Sequence, residues 1–321
     1  MRDPRSQDAG QQSVSAQSRA QPDGQAAVGG QHVDVVPELA GEPETHAAPG
    51  QVQAVRGRET AERVRALVGS SQPRPELTSL SADVVATDLT DPAAVEPLLA
   101  GADALYLIWP NFDPGETAGA VALLGAARRA GVRRVVYHSV LRPQARSMPH
   151  HAAKDRVEEA LDASGLAWRV LQPCAYADNL DGMLADVAAT GTFRSTWGLQ
   201  TSQSLVDLRD VAEAATVLLT RDGLDGGTFE AVGPEPLTAP RIAEALGAWL
   251  GREVRAVDAA PEGPVPDEYG ARCARLMFDH YRAHGFTGSP RVLEMLLARP
   301  PRTFAEHLRD RERPGVEGEL R

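Results

Sequence analysis

The sequence predicts an α/β protein on a doubly wound parallel sheet, with a small C-terminal, mostly helical lobe and a disordered N-terminal tail. Three observations predict it. Short β-branched apolar runs alternate with longer segments of helical period, those segments carry start and stop signals, and residues 1–57 show neither period.

The strands are read first. VRALV (64–68), DVVAT (83–87), DALYLIW (103–109), RRVVYHSV (133–140) and AWRVLQ (167–172) are too short and apolar for exposed helices, as strands covered on both faces should be. Helices lie between them. Asp91 and Pro92 open DPAAVEPLLA, ETAGAVALLGAARRAG ends on two arginines and a glycine, and PHHAAKDRVEEALDASG also closes on glycine. The capped amphipathic helix VDLRDVAEAATVLLT, the strand GTFEAVG and the Thr238-capped TAPRIAEALGAWLG follow. From about 264 to 310, EYGARCARLMFDHYRAHG, SPRVLEMLLARP and PRTFAEHLRD carry apolar stripes that suit a helical lobe.

Composition narrows the function. With 42% hydrophobic residues in 321, the chain can bury one or two cores, and no apolar run approaches the roughly 20 residues a bilayer span needs. A cytoplasmic location is expected, with no membrane partner. A formal charge of −11 argues against a direct nucleic-acid partner. Cys174 and Cys273 are too few for a disulfide framework or metal cluster, so each is read as a buried thiol and no metal is expected. Residues 1–57, rich in Gln, Ala, Gly, Pro and Ser and without Phe, Trp or Tyr, cannot offset the entropy of ordering.

The runs RRVVYHSV, HHAAKDRVEEALDASGLAWRVLQPCAYADN, LVDLRDVAEAATVLLT and GGTFEAVGPEPLTAPRIAEALGAWLGREV resemble, in order and spacing, the NmrA-like family of atypical short-chain dehydrogenase/reductases. The resemblance covers about residues 63–310. It implies a Rossmann-like domain (58–235) that binds NAD(P), a C-terminal lobe (236–321) over a substrate cleft, and a low-complexity segment (1–57) in place of the first strand and glycine loop. Family members include reductases and dinucleotide-sensing regulators that act through a protein partner.

One family device is missing. The first strand should lead into G-x-x-G-x-x-G, because the pyrophosphate must meet bare backbone N–H groups at a helix N-terminus. VDVVPELAGEPETHAAPG (33–50) stands there instead, with prolines that interrupt a helix and with Glu42 and Glu44, which repel a pyrophosphate. HVDVV offers at best a poor central strand. Either a native tail on a degraded homologue or a reading frame that is not the ancestral one accounts for this segment. Impaired cofactor binding is expected on both accounts.

Other cofactor positions are implied by the resemblance. Asp88 and Leu89 match the pair along the adenine, although Asp88 is also a turn residue before Thr90. Where many relatives carry an Arg for the 2′-phosphate this chain has Gly69, Ser70 and Ser71, a departure that leaves NAD and NADP both open; with no Asp or Glu there to grip a free 2′-hydroxyl, the lean is weakly to NADP, with Ser70, Ser71 and Arg74 as candidate donors. Trp109 and Pro110 end a strand at the ligand edge, Trp109 being equally suited to packing, and Ser139 takes a cofactor-facing place. Lys154 matches the lysine that holds the nicotinamide ribose, and it shares an apolar stripe with Val157 and Leu161. Four residues earlier the usual acid, Tyr, is replaced by His150, the remaining candidate proton donor; a histidine at a helix start is more often exposed. Tyr137, Tyr176 and Asn179 are the candidate substrate contacts, and Asp207 and Asp210 are read as helix cap and first-turn acid. Two functions stand: an NAD(P)H-dependent oxidoreductase on a small carbonyl, quinone or similar electrophile, and a non-catalytic dinucleotide-sensing regulator or degenerate pseudo-enzyme.

Overall fold

The computed structural model describes residues 64–69, 77 and 82–314, and the backbone of 51–56 and 63. The disorder expected for residues 1–57 therefore falls, apart from 51–56, outside the described residues, as do HVDVV, Ser70, Ser71 and Arg74.

A seven-stranded sheet carries the fold. Its strands are β1 (Gln51–Arg56), β2 (Arg63–Val68), β3 (Asp83–Ala86), β4 (Ala104–Leu107), β5 (Arg134–His138), β6 (Ala167–Pro173) and, after the short strands β7 (Ala175–Tyr176), β8 (Thr192–Ser195) and β9 (Ser202–Val206) that lie outside it, β10 (Gly227–Ala231), in the order β10-β6-β5-β4-β1-β2-β3. The pairs β10–β6, β6–β5, β5–β4 and β2–β3 are parallel, as the alternating sequence pattern predicts. The central strand is the departure. Gln51–Arg56, assigned from sequence to the irregular N-terminal stretch, fills the slot between β4 and β2 and runs antiparallel to both.

Helices cover both faces. α1 (Pro92–Leu99) is capped by the Asp91 side chain, and α2 (Glu116–Arg129) and α3 (Pro149–Asp162) cover the sheet beside it. Strand alternation sends Leu105, Leu107, Val135, Tyr137 and Val170 into the core with these helices, while Tyr106, Ile108, Val136 and Leu171 enter the core on the other side. That second core joins α5 (Leu208–Thr220), α6 (Ala239–Leu250), α7 (Tyr269–His284), α8 (Arg291–Leu297) and α9 (Phe304–Arg309), after the short α4 (Leu184–Thr190). The helices read from sequence as the C-terminal lobe contribute to the same continuous core as this face of the sheet. No helix among the described residues is long and apolar enough to cross a membrane.

An ion-pair cluster ties α9 to the body. Asp207 caps α5 through the Arg209 backbone N–H, as the sequence suggests, and it also accepts from His307 Nδ1 at 2.9 Å. His307 Nε2 lies 3.0 Å from Asp181, while Arg311 donates to Asp181 and Asp178, each at 2.7 Å. Carboxylates only accept, so both ring nitrogens carry protons. Burial opposes that charge, but the bonds to Asp181 and Asp207 prevail and raise the His307 pKa to about 9. A pKa raised by folding contributes stability fully present below the unfolded value near 6.5 and lost as pH climbs through about 9. Urea unfolding is therefore expected to show a loss of roughly 3 kcal/mol between neutral and strongly alkaline pH. His307→Gln should flatten that slope.

Candidate functional site

The last turn of β5 separates two buried polar triads. Tyr137 and His138 are consecutive, so their side chains leave opposite faces of the sheet. On the α2–α3 side, Tyr137 donates its hydroxyl to Glu116 Oε1 at 2.8 Å, and Lys154 Nζ donates to the same oxygen at 2.6 Å. Lys154 also lies 5.7 Å from the centroid of the Tyr137 ring, within cation–π range. Glu116 Oε2 is buried without a partner among the described residues. On the other side, His138 Nδ1 meets the Tyr106 hydroxyl at 2.6 Å and Nε2 meets the Tyr176 hydroxyl at 2.7 Å. Burial, with Lys154 adding to it, lowers the His138 pKa to about 3, so this ring is neutral.

These contacts alter two expectations. Tyr137, expected against substrate, is fully buried with its hydroxyl committed to Glu116, so any influence it has passes through Lys154. His150, more often exposed at such a place, is buried at the start of α3. Burial, helped by His151 and Lys154, holds its pKa well below the usual value, which removes it as a charged acid at neutral pH. Its Nδ1 has no partner among the described residues. Two strained residues touch this histidine pair. Phe112, at φ 60°, packs edge-on against His150 with centroids 4.8 Å apart, and Arg142, at φ 57°, offers its carbonyl to His151 Nδ1 at 3.1 Å. Left-handed non-glycine residues cost about 1–3 kcal/mol each and gather at functional sites.

The remaining candidates divide. Ser139 is buried and gives its hydroxyl to Glu158, which also accepts from Gln172 at 2.9 Å; burial raises the Glu158 pKa. Asp88 accepts from the Thr90 hydroxyl at 2.6 Å and backbone N–H at 2.8 Å, the geometry of its turn reading, and Leu89 is buried. Trp109 donates to Asp113 at 2.9 Å and packs against α2, where a Cβ on Gly119 would fall 2.1 Å from its ring. Gly119→Ala is expected to destabilise the fold by about 1–3 kcal/mol, read as a lower urea midpoint at unchanged slope. Pro110 and Asn179 are half-buried, Asn179 on the 3-10 helix Ala177–Met183 that follows Tyr176. Cys174 is buried, and burial pushes its thiol up to about 12.

A dinucleotide fits one end of this arrangement. Lys154 and the unpartnered polar atoms of Glu116 and His150 suit a ribose and carboxamide, which supply hydroxyl and N–H donors and matching acceptors. The pyrophosphate end is different. In doubly wound sheets it sits at the carboxyl ends of the strands where their order reverses, here between β4 and β1. Because Val52 pairs with Leu107 and Val55 with Ala104, the end of β1 lies at the opposite edge. Among the described residues, no strand-to-helix turn follows β1, and the next element is β2.

Comparison with known proteins identifies the family and the fold. The model of the NmrA-like family matches residues 52–269. The NAD(P)H azoreductase of Xenophilus azovorans is 28% identical over 251 residues, 75% of this chain and 87% of that one. A (4-alkanoyl-5-oxo-2,5-dihydrofuran-3-yl)methyl phosphate reductase of Streptomyces griseus is 31% identical over 197 residues, 58% of this chain and 68% of that one. Among solved structures, the NADPH-dependent quinone oxidoreductase QOR2 of Escherichia coli, complexed with NADPH, superposes with a TM-score of 0.67 at 21% identity, covering 76% of this chain and 89% of that one.

Proposed function

The chain belongs to the NmrA-like family, and from that premise we propose that it is an NAD(P)H-dependent oxidoreductase that reduces a small conjugated electrophile such as a quinone or azo compound. NADPH is the favoured cofactor, held more weakly than in relatives with a glycine turn. What supports this reading is Lys154, which matches the family's ribose-binding lysine and, from the second turn of α3, is charge-paired with Glu116 at the start of α2.

The nicotinamide supplies hydride when bound, and Lys154 with Glu116 would hold its ribose. The lost acid points to the acceptor. Hydride addition to an isolated ketone builds charge on one oxygen and needs a strong proton donor in the transition state. A neutral His150 in the tyrosine's place is poorly suited to that task. A conjugated acceptor spreads the same charge over its π system and needs only a hydrogen bond. The azoreductase and quinone oxidoreductase relatives are named for acceptors of that kind.

The test is NADPH oxidation by the purified chain with a quinone, an azo dye and a simple aliphatic ketone. Turnover with the first two and none with the ketone is expected. Lys154→Met should lower kcat/KM by about 10²-fold or more, chiefly through the KM for NADPH. Saturable dinucleotide binding without turnover would favour the regulatory reading, which the missing tyrosine also suits.

A further inference from the structure

The Tyr106–His138–Tyr176 chain is absent from the family positions considered above, apart from Tyr176 itself, and its proton count is informative. Two hydroxyls and one neutral imidazole hold three protons, while only two contacts join them. One proton is left over. If His138 carried its proton on Nδ1, Tyr106 would accept it, and the Tyr106 hydroxyl proton would point into a fully buried site with no second partner among the described residues. A buried unsatisfied donor costs about 1–3 kcal/mol. With the proton on Nε2, Tyr106 donates to Nδ1, His138 donates to the Tyr176 oxygen, and the spare proton rests on Tyr176.

Tyr176 is the outermost of the three, 9% exposed against 3% for His138 and 0% for Tyr106. It ends the short strand β7 (Ala175–Tyr176), just past the carboxyl end of β6, and leads into the 3-10 helix that bears Asn179. His138 is the last residue of β5. The triad therefore stands at the carboxyl edge of the sheet, on the face opposite the Lys154 pair. Burial raises the Tyr176 pKa well above the ordinary phenol value, which keeps the hydroxyl protonated and donating.

We propose that Tyr176 donates the hydrogen bond, and then the proton, to the heteroatom of the bound acceptor, and that His138, fixed by Tyr106, is the positioning residue that aims it. This rests on the reductase reading. Hydride brings two electrons to the electrophilic atom, and the conjugated heteroatom takes up the resulting charge. The Tyr176 O–H bond breaks as the heteroatom–H bond forms, giving the neutral reduced product. His138 Nε2–H stabilises the phenolate until a water proton restores it after product release. Tyr176 thus takes over the task of the tyrosine missing at position 150.

The experiment has two arms that need no cofactor. Nitrogen-15 NMR of the full-length chain reads the His138 tautomer, with His138→Gln used to assign the signal; a proton on Nε2 across neutral pH is expected, and it should stay there in Tyr106→Phe, where a proton on Nδ1 would have no acceptor. Titration with 4-nitrophenolate, an oxyanion probe, is expected to show about 10- to 100-fold weaker binding to Tyr176→Phe, the loss of one hydrogen bond to a charged acceptor. A wild-type proton on Nδ1, or equal nitrophenolate binding by Tyr176→Phe and wild type, would overturn the proposal. Quinone turnover separates the two readings. If the chain never turns over yet both arms come out as expected, the reductase reading and the proton transfer fail while Tyr176 stands as the hydrogen-bond donor aimed by His138; if it turns over and Tyr176→Phe keeps wild-type kcat, the Tyr176 assignment alone fails.

Discussion

Replacing Glu116 with Ala is expected to destabilise the protein by about 3–5 kcal/mol, the cost of leaving a buried charge without its partner. Glu116 is 1% exposed and Lys154 6%, and one carboxylate oxygen accepts from both Lys154 and Tyr137. Removing the carboxylate strands an ammonium and a phenol hydroxyl together. Glu116→Leu combined with Lys154→Met fills the same space with apolar groups and should cost far less than either change alone, because both desolvation penalties disappear. Urea unfolding of the singles and the double reads this directly. A double variant as unstable as the sum of its singles would mean that the pair does not interact as its 2.6 Å contact indicates.

The second large effect is on cofactor affinity. NADPH is expected to bind this chain about 10²- to 10⁴-fold more weakly than it binds the azoreductase of Xenophilus azovorans, measured side by side by calorimetry. The figure corresponds to two lost hydrogen bonds to a charged phosphate oxygen, about 1.5–3 kcal/mol each. A reversed β1 puts its carboxyl end at the wrong edge of the sheet, and the segment 33–50 carries prolines and glutamates where backbone N–H groups should converge. Equal affinities would show that another group meets the pyrophosphate.

Legibility followed the range of the interactions. The β2–β6 strands and most helices from Pro92 to Arg309 were readable because periodicity and caps are local signals, as with Asp91 and Asp207; Thr238 stands at its N-cap without a side-chain bond, and α4 was not read. Strand β1 was not, because QVQAVR alternates only weakly and lies in a stretch poor in large apolar residues. Also missed was β9 (Ser202–Val206), whose Gln203 and Ser204 are buried although polar. The family motif named the positions of Lys154, Ser139 and Tyr176, all three of them buried. The site was opaque where function depends on partners far apart in sequence. Glu116 with Lys154 and His307 with Asp181 are separated by 38 and 126 residues, and no local pattern joins them. His138 carried one usable signal, a histidine at the end of an otherwise apolar strand, where a buried polar side chain must find partners.

The most direct measurement of the central claim is NADPH consumption by the full-length chain with a quinone acceptor, followed as cofactor is raised from micromolar to millimolar. The account predicts turnover that keeps rising through the range, with a KM for NADPH on the order of 1 mM or above, the upper end of ordinary values, and loss of turnover in Lys154→Met. Absence of any acceptor-dependent NADPH oxidation at millimolar cofactor would contradict the reductase reading, and saturation at low micromolar NADPH would contradict the claim that the phosphate site is impaired.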